Sequence, residues 1–144
     1  MASAVKYEIF TEHLAGKVHD LFGSGGSVDS IKIAIHTDAP VVATDALLAD
    51  ITQINGTGYT SGGASITPNG TRSGGVMSLG ATDFTWTATA ADWTSTARYV
   101  TMYNDTSASP LKPLICSWDY GATFAVGNGE TFTADFGAAA LTIT

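Results

Sequence analysis

Cysteine occurs once in the 144 residues, at Cys116. An intrachain disulfide is therefore excluded, and the place of Cys116 between Leu114 and Trp118 marks it as a small buried hydrophobe rather than a reactive thiol. No apolar run approaches the roughly 20 residues that a membrane helix needs, and no basic segment followed by an apolar stretch opens the chain. The expectation is a soluble, unexported product without a signal peptide and without a membrane partner. Positive charge is scarce as well: six Lys and Arg stand against thirteen Asp and Glu, for a net charge of -7. The basic residues are scattered singly, so a phosphate backbone finds no stripe to follow and nucleic acid is excluded as a partner.

What the chain does have is sixteen glycines and many Thr, Ser and Ala residues, with aromatic and branched apolar residues recurring between them. That composition describes an all-β protein with short strands and tight turns. At this length it forms one domain, 1–144, that buries roughly 70% of its unfolded surface.

Three strand-like segments between Arg98 and Phe136 organise the rest. Tyr99 to Tyr103 carries apolar or aromatic residues on both alternating faces, as a strand inside a sheet does. Leu114, Cys116, Trp118 and Tyr120 alternate against Ile115, Ser117 and Asp119, and Phe132, Ala134 and Phe136 alternate against Thr131, Thr133 and Asp135. Together these predict the core of a β-sandwich.

Upstream, Tyr7, Phe10, Leu14 and Val18 fall at helical spacing, which predicts a short N-terminal helix over 5–16, ended by Gly16, with the sandwich over 17–144. Such a helix either caps an open end of the sandwich or acts as an arm on a partner, with Tyr7 and Phe10 as its contacts. Gly23 to Ser27 lacks the GK[ST] ending of a phosphate loop and reads as a flexible turn. Ser30 to Thr37 is a strand with Ile31, Ile33 and Ile35 on one face. Asp45 is the expected N-cap of a helical turn reaching Asp50. Pro68-Asn69-Gly70 reads as a hairpin turn because Asn-Gly tolerates positive φ. Val76 to Leu79, Asp83 to Thr89 and Leu141 to Thr144 complete about eight strands, with Phe84, Trp86 and Ala88 inward. No repeat is present. The pattern fits a single-domain, jelly-roll-like β-sandwich.

Catalytic and metal chemistry find little support in the residues. His13, His19 and His36 match no zinc spacing, so no metal and no cofactor is expected. No Gly-x-Ser-x-Gly elbow exists, and His36 has no nucleophile near it in sequence. Asp29, Asp38, Asp45, Asp50, Asp83, Asp92 and Asp105 fall at turns, where carboxylates cap loops rather than pair for glycoside hydrolysis. Three Asn-x-Thr sites, at Asn55, Asn69 and Asn104, read as turn chemistry. Trp86 and Trp118 belong to inward faces. Trp93 and Tyr59 lie outside the strand patterns and are the candidates for exposed contact.

The whole chain, taken in order, resembles a family of small structural proteins of tailed bacteriophages. The pieces that carry the resemblance are Tyr7 to Phe10, Asp29 to Thr37, Asn55 to Ala64, Asp83 to Trp86, Ala97 to Thr106, Pro113 to Gly121, and Phe132 to Phe136 with Leu141 to Thr144. It implies a non-enzymatic virion component, a decoration or cement protein bound to the major capsid protein on the outer surface of the assembled head. It also implies a homo-oligomer, trimer or dimer. The compact Asp38 to Asn55 segment departs from the family, where this stretch is often longer. A head-to-tail connector or tail component is the alternative within that class; a carbohydrate-binding module or receptor-binding tip built on Trp93 and Tyr59 is the alternative outside it.

Overall fold

The computed structural model describes residues 4–22, 28–93, 96–137 and 140–144. Along the chain run β1 (Val5–Lys6), α1 (Glu8–Ala15), β2 (Ile31–His36), a 3-10 turn (Leu48–Asp50), β3 (Ala64–Ile66), β4 (Pro68–Ser73) and β5 (Val76–Ala81). They are followed by β6 (Phe84–Thr87), β7 (Ala97–Asn104), β8 (Leu114–Phe124), β9 (Thr131–Ala134) and β10 (Leu141–Ile143). The protein is an all-β sandwich with one short helix. A five-stranded antiparallel sheet, β1-β8-β7-β2-β3, is opposed by a three-stranded sheet, β10-β5-β4, and the pair β6-β9. One apolar cluster joins all three sheets: Ile31, Ile33, Ile35, Val100, Met102 and Trp118 meet Leu79, Leu141, Trp86 and Phe132.

Central β7 is buried on both faces from Tyr99 to Asn104, as its two-sided pattern predicts. Its inner face enters the main core. Its outer face is covered by a second cluster in which Tyr7, Leu48 and Ile51 pack on Ala34, Tyr103 and Leu114. The compact 38–54 segment thus roofs the five-stranded sheet, and a strand roofed on both sides needs no polar alternation.

The expected frame of β8 fails at one place. Cys116 pairs with Met102, but Leu114 pairs with Tyr103, so Ile115 is an extra residue in the ladder. This bulge reverses the phase of the strand. Leu114 belongs to the outer cluster while Ile115, Cys116 and Trp118 belong to the main core, not to one alternating face.

Two local expectations are corrected. Pro68-Asn69-Gly70 is not the hairpin turn but part of β4, and the turn is Gly74-Gly75, between paired Ser73 and Val76. Both glycines have positive φ, 58° and 83°, as a two-residue hairpin of this kind requires. Gly70 serves a close approach instead: a Cβ there would lie 2.4 Å from the Met77 methyl and 2.8 Å from the Phe22 ring. Asp45 does not cap the 3-10 turn; its carboxylate takes the Val41 N–H, and Asp50 Oδ2 takes the Ala46 and Leu47 N–H groups.

Helix α1 begins at Glu8, with residues 5 and 6 in β1 instead, and ends at Ala15. Its closing turn is a Schellman arrangement, with Val18 N–H on His13 O and Lys17 N–H on Leu14 O. The left-handed residue is Lys17, at φ 58°, not the glycine before it, since Gly16 has φ -79°. That placement costs about 1 kcal/mol relative to glycine. The turn expected at Gly23 to Ser27 lies outside the described residues.

Candidate functional site

The expected contact residues are in the interior. Tyr7 and Phe10 have no exposed surface, Trp93 is 4% exposed and Tyr59 8%. Tyr7 and Phe10 anchor the N-terminal segment to its own sheet, so the segment closes the sandwich as a cap. Tyr59 is a pin: its hydroxyl takes the Ile35 N–H at 3.1 Å and donates to Gln53 Oε1 at 3.0 Å. Its ring stands edge-on to Trp93 at 6.0 Å. A chain segment outside regular strands is still buried when its aromatic rings fill the gap between sheets, which period-2 patterns do not report. The large apolar side chains that do reach solvent include Val41, Leu111 and Tyr120.

The most ordered polar constellation lies on the outer face of the five-stranded sheet. His36 Nδ1 stands 3.3 Å from Asp38 Oδ1, and His36 Nε2 stands 2.8 Å from Thr101 Oγ1. Asp38 accepts only, so the network assigns the imidazole proton to Nδ1 and makes Nε2 the acceptor of the Thr101 hydroxyl. The Tyr7 hydroxyl joins Thr101 Oγ1 at 3.2 Å, and burial pushes the Tyr7 phenol up to about 12, keeping it a donor. A carboxylate orienting an imidazole that receives a hydroxyl proton is the order of groups in a nucleophilic triad. Here, however, His36 and Thr101 have no exposed surface, and the Tyr7 phenol, itself buried, is hydrogen-bonded to the Thr101 hydroxyl. What the relay does in this position is tie three segments together: the N-terminal Tyr7, β2 with β7, and, through Asp38 and the Thr52 N–H at 2.9 Å, the roof. His36 and Thr101 are 65 residues apart, which is why a search along the sequence finds no nucleophile for His36.

A second polar cluster is at the end of β7. Asn104 Oδ1 accepts the Thr106 and Ser107 N–H groups, while its Nδ2 contacts Asp29 Oδ2 at 2.6 Å, Val18 O at 3.2 Å and His19 Nδ1 at 3.2 Å. His13 stands edge-on to His19, with ring centroids 5.6 Å apart. Burial lowers the proton affinity of both rings, and His13 adds to the effect on His19, which falls to about 4.

The carboxylates behave largely as turn residues. Asp29, Asp38, Asp45, Asp50, Asp83 and Asp92 each accept a backbone N–H. Asp105 instead pairs with Lys32 at 2.7 Å and Lys112 at 3.2 Å. Asp119 receives the Arg98 guanidinium through two 2.8 Å bonds, and that pairing holds its carboxyl down to about 2. Among the described residues, no group of three or more His, Cys, Asp or Glu side chains is placed to hold a metal ion, and no helix is long and apolar enough to cross a membrane. No family model matches the chain, and no curated protein and no solved structure matches it.

Proposed function

We propose that the chain is a structural component of a tailed-bacteriophage virion, a decoration or cement protein that binds the major capsid protein on the outside of the assembled head and acts by binding rather than by catalysis. The observation that carries this reading is where the resembling pieces fall. Asp29 to Thr37 holds β2, Ala97 to Thr106 holds β7, and Pro113 to Gly121 holds most of β8, so the resemblance follows the central sheet. Asn55 to Ala64 contains the Tyr59 pin and Tyr7 to Phe10 contains two anchors of the N-terminal cap. These are the parts that make a stiff body.

The polar chemistry supports the same reading. The triad-like relay is spent on holding segments together, and turn carboxylates are spent on backbone N–H groups. A protein that binds only the assembled shell stabilises it by mass action, and a trimer or dimer gains by engaging several capsid subunits at once. Low charge content, 13% of residues, leaves neutral surface on which such contacts form without stripping ions of water. With Tyr59 and Trp93 buried, the contacts are assigned to exposed side chains such as Leu111 and Tyr120.

The test is the copy number of this chain relative to the major capsid protein in purified particles, by quantitative mass spectrometry. Copies comparable to the capsid protein support decoration. A few to a dozen would move the protein to the connector or tail, and complete absence would sink the virion reading.

A further inference from the structure

Asparagine precedes glycine three times, at Asn55-Gly56, Asn69-Gly70 and Asn128-Gly129. In such a pair the glycine nitrogen can attack the side-chain carbonyl carbon of the asparagine, because no Cβ on the second residue obstructs the five-membered ring that forms. The fold treats the three pairs differently.

At Asn128-Gly129 the turn is bolted through its own N–H groups. Gly129 N–H is bonded to Ala88 O at 2.8 Å, Glu130 N–H to Gly127 O at 2.8 Å, and Asn128 N–H to Asp92 Oδ1 at 2.6 Å. Taking the proton from Gly129 N forfeits the first of these bonds, so the nitrogen is kept in its protonated, unreactive form. Packing restrains Asn55-Gly56. Gly56 is half-buried, a Cβ on it would lie 2.3 Å from Trp93 Cδ1, and its carbonyl takes the Tyr59 N–H at 3.1 Å. The Trp93 ring resists the turn of the Asn55–Gly56 peptide that ring closure needs.

Asn69-Gly70 lies in β4, the edge strand of the sheet β10-β5-β4. The register decides which way its peptide groups point. Thr82 N–H donates to Thr67 O at 3.1 Å, and the same ladder closes at Ser73 and Val76 around the two-residue turn. Hydrogen-bonded pairs alternate with non-bonded ones, so residues 67, 69, 71 and 73 turn their N–H and C=O groups toward β5. Gly70, opposite Leu79, therefore turns its N–H away from β5, to the side where the sheet has no further strand. Pro68, which has no N–H to give, falls on that same outer side, as an edge proline should.

The side chain of Asn69 is equally unrestrained. It is exposed, it has no hydrogen-bond partner among the described residues, and the residue opposite it in the ladder is Gly80, which offers no side chain to pack against. Ring closure turns the Asn69–Gly70 peptide and breaks the bonds of Asn69 to Gly80. An edge strand bonded to one neighbour opens in this way more readily than a central strand bonded to two.

We propose that Asn69 is a site of spontaneous deamidation and the first of the three Asn-Gly pairs to react in the folded protein. Base removes the Gly70 N–H proton, the nitrogen bonds to Asn69 Cγ, and the Cγ–Nδ2 bond breaks with release of ammonia. Water then opens the cyclic imide. Attack at Cγ breaks the new Cγ–N bond and gives aspartate; attack at the main-chain carbonyl breaks the original peptide bond and gives isoaspartate. Either product adds a negative charge to β4. Isoaspartate also adds a methylene group to the main chain, which puts the residues before Asn69 out of step with β5. This inference is independent of the virion reading, since it needs neither a particle nor a capsid partner.

The experiment is a time course of the full chain in mildly alkaline buffer made with 18O-labelled water, folded and in denaturant, read by peptide mapping with fragment-ion localisation. In denaturant all three pairs are expected to react at similar rates, since each is followed by glycine. In the folded protein Asn69 should keep the largest share of its unfolded rate, severalfold more than Asn55 or Asn128, with one 18O incorporated and isoaspartate present beside aspartate. Asn69→Ser should remove the early product and leave the slow reaction of the other two unchanged. Thermal melts of the folded samples confirm that the fold persists through the time course. Faster reaction at Asn128 or Asn55, equal suppression of all three by folding, or aspartate without isoaspartate would overturn the proposal.

Discussion

Gly63 lies so close to Ile33 that a Cβ on it would sit 1.8 Å from the Ile33 carbonyl oxygen. Two residues of the same loop make similar approaches: a Cβ on Gly58 would lie 1.9 Å from the Thr87 carbonyl oxygen, and Gly62 O accepts the Tyr103 hydroxyl. The glycine-rich 56–63 segment is therefore a clasp that joins the middle of β2, at Ile33, to the end of β6, at Thr87. Gly63 and Gly58 also have φ of 68° and 92°, so an added side chain meets both a clash and a strained backbone.

Gly63→Ala is accordingly expected to destabilise the protein by about 3 kcal/mol or more, a fall in melting temperature of roughly 6–12 °C. Gly74→Ala is the control, since its φ of 58° is equally unusual but no atom lies within 4 Å of the added Cβ. Its cost should stay near 1 kcal/mol. Parallel thermal melts decide the matter: equal losses in the two variants would mean that the loop is not seated on β2.

Thr101→Val removes the hydroxyl at the centre of the Tyr7–Thr101–His36 relay while keeping the shape of the side chain. Tyr7 and His36 then each lose a partner in a site without water access, a loss of roughly 2–4 kcal/mol. Thr101→Ser keeps the hydroxyl and gives up one methyl group, so it should lose only about 1 kcal/mol. Urea denaturation of the three proteins tests this. A serine variant as unstable as the valine variant would mean that packing, not the relay, holds the segments.

Stability should also fall with acid well before the carboxylates titrate. His13, His19 and His36 all have their proton affinity lowered by burial, His19 to about 4. Above pH 6.5 the folded and unfolded chains both hold them neutral, and the full stability is present. Between pH 6.5 and 4 the unfolded chain takes up protons that the folded chain refuses, so stability declines as pH falls. His19 alone accounts for roughly 3 kcal/mol by pH 4. Denaturation midpoints measured from pH 7.5 down to 4.5 would show the slope, and His19→Gln should flatten part of it. A flat profile over that interval would mean that these rings are charged in the folded protein.

Several elements were legible in the sequence because one residue's face predicts the next. In β2, β6 and β9 the alternation of Ile31, Ile33 and Ile35, of Phe84 and Trp86, and of Phe132 and Ala134 matches the buried side in the structure. The reading of Leu114 failed because a single extra residue, Ile115, shifts the frame, and a bulge leaves no mark on composition. Reading Asn69-Gly70 as the turn failed for a related reason: Gly74-Gly75 admits positive φ as well, and only the pairing partner decides. Tyr59 and Trp93 read as exposed because their burial comes from segments distant in the chain. The relay of His36 with Thr101, and the pairing of His19 with Asn104, are likewise products of the assembled sheet. Lys17 in the left-handed position was hidden by Gly16 beside it, the residue that general preference selects.

Cys116 sits in the ladder opposite Met102, fully buried, and burial pushes its thiol far above the ordinary range. It is the sole sulfhydryl, and no alkylating reagent reaches it while β7 and β8 remain paired beneath their roof. The rate at which iodoacetamide labels the folded protein therefore counts openings of the central sheet. The chain carries its own stopwatch for unfolding, one that runs without an attached dye and can be read as a single mass shift.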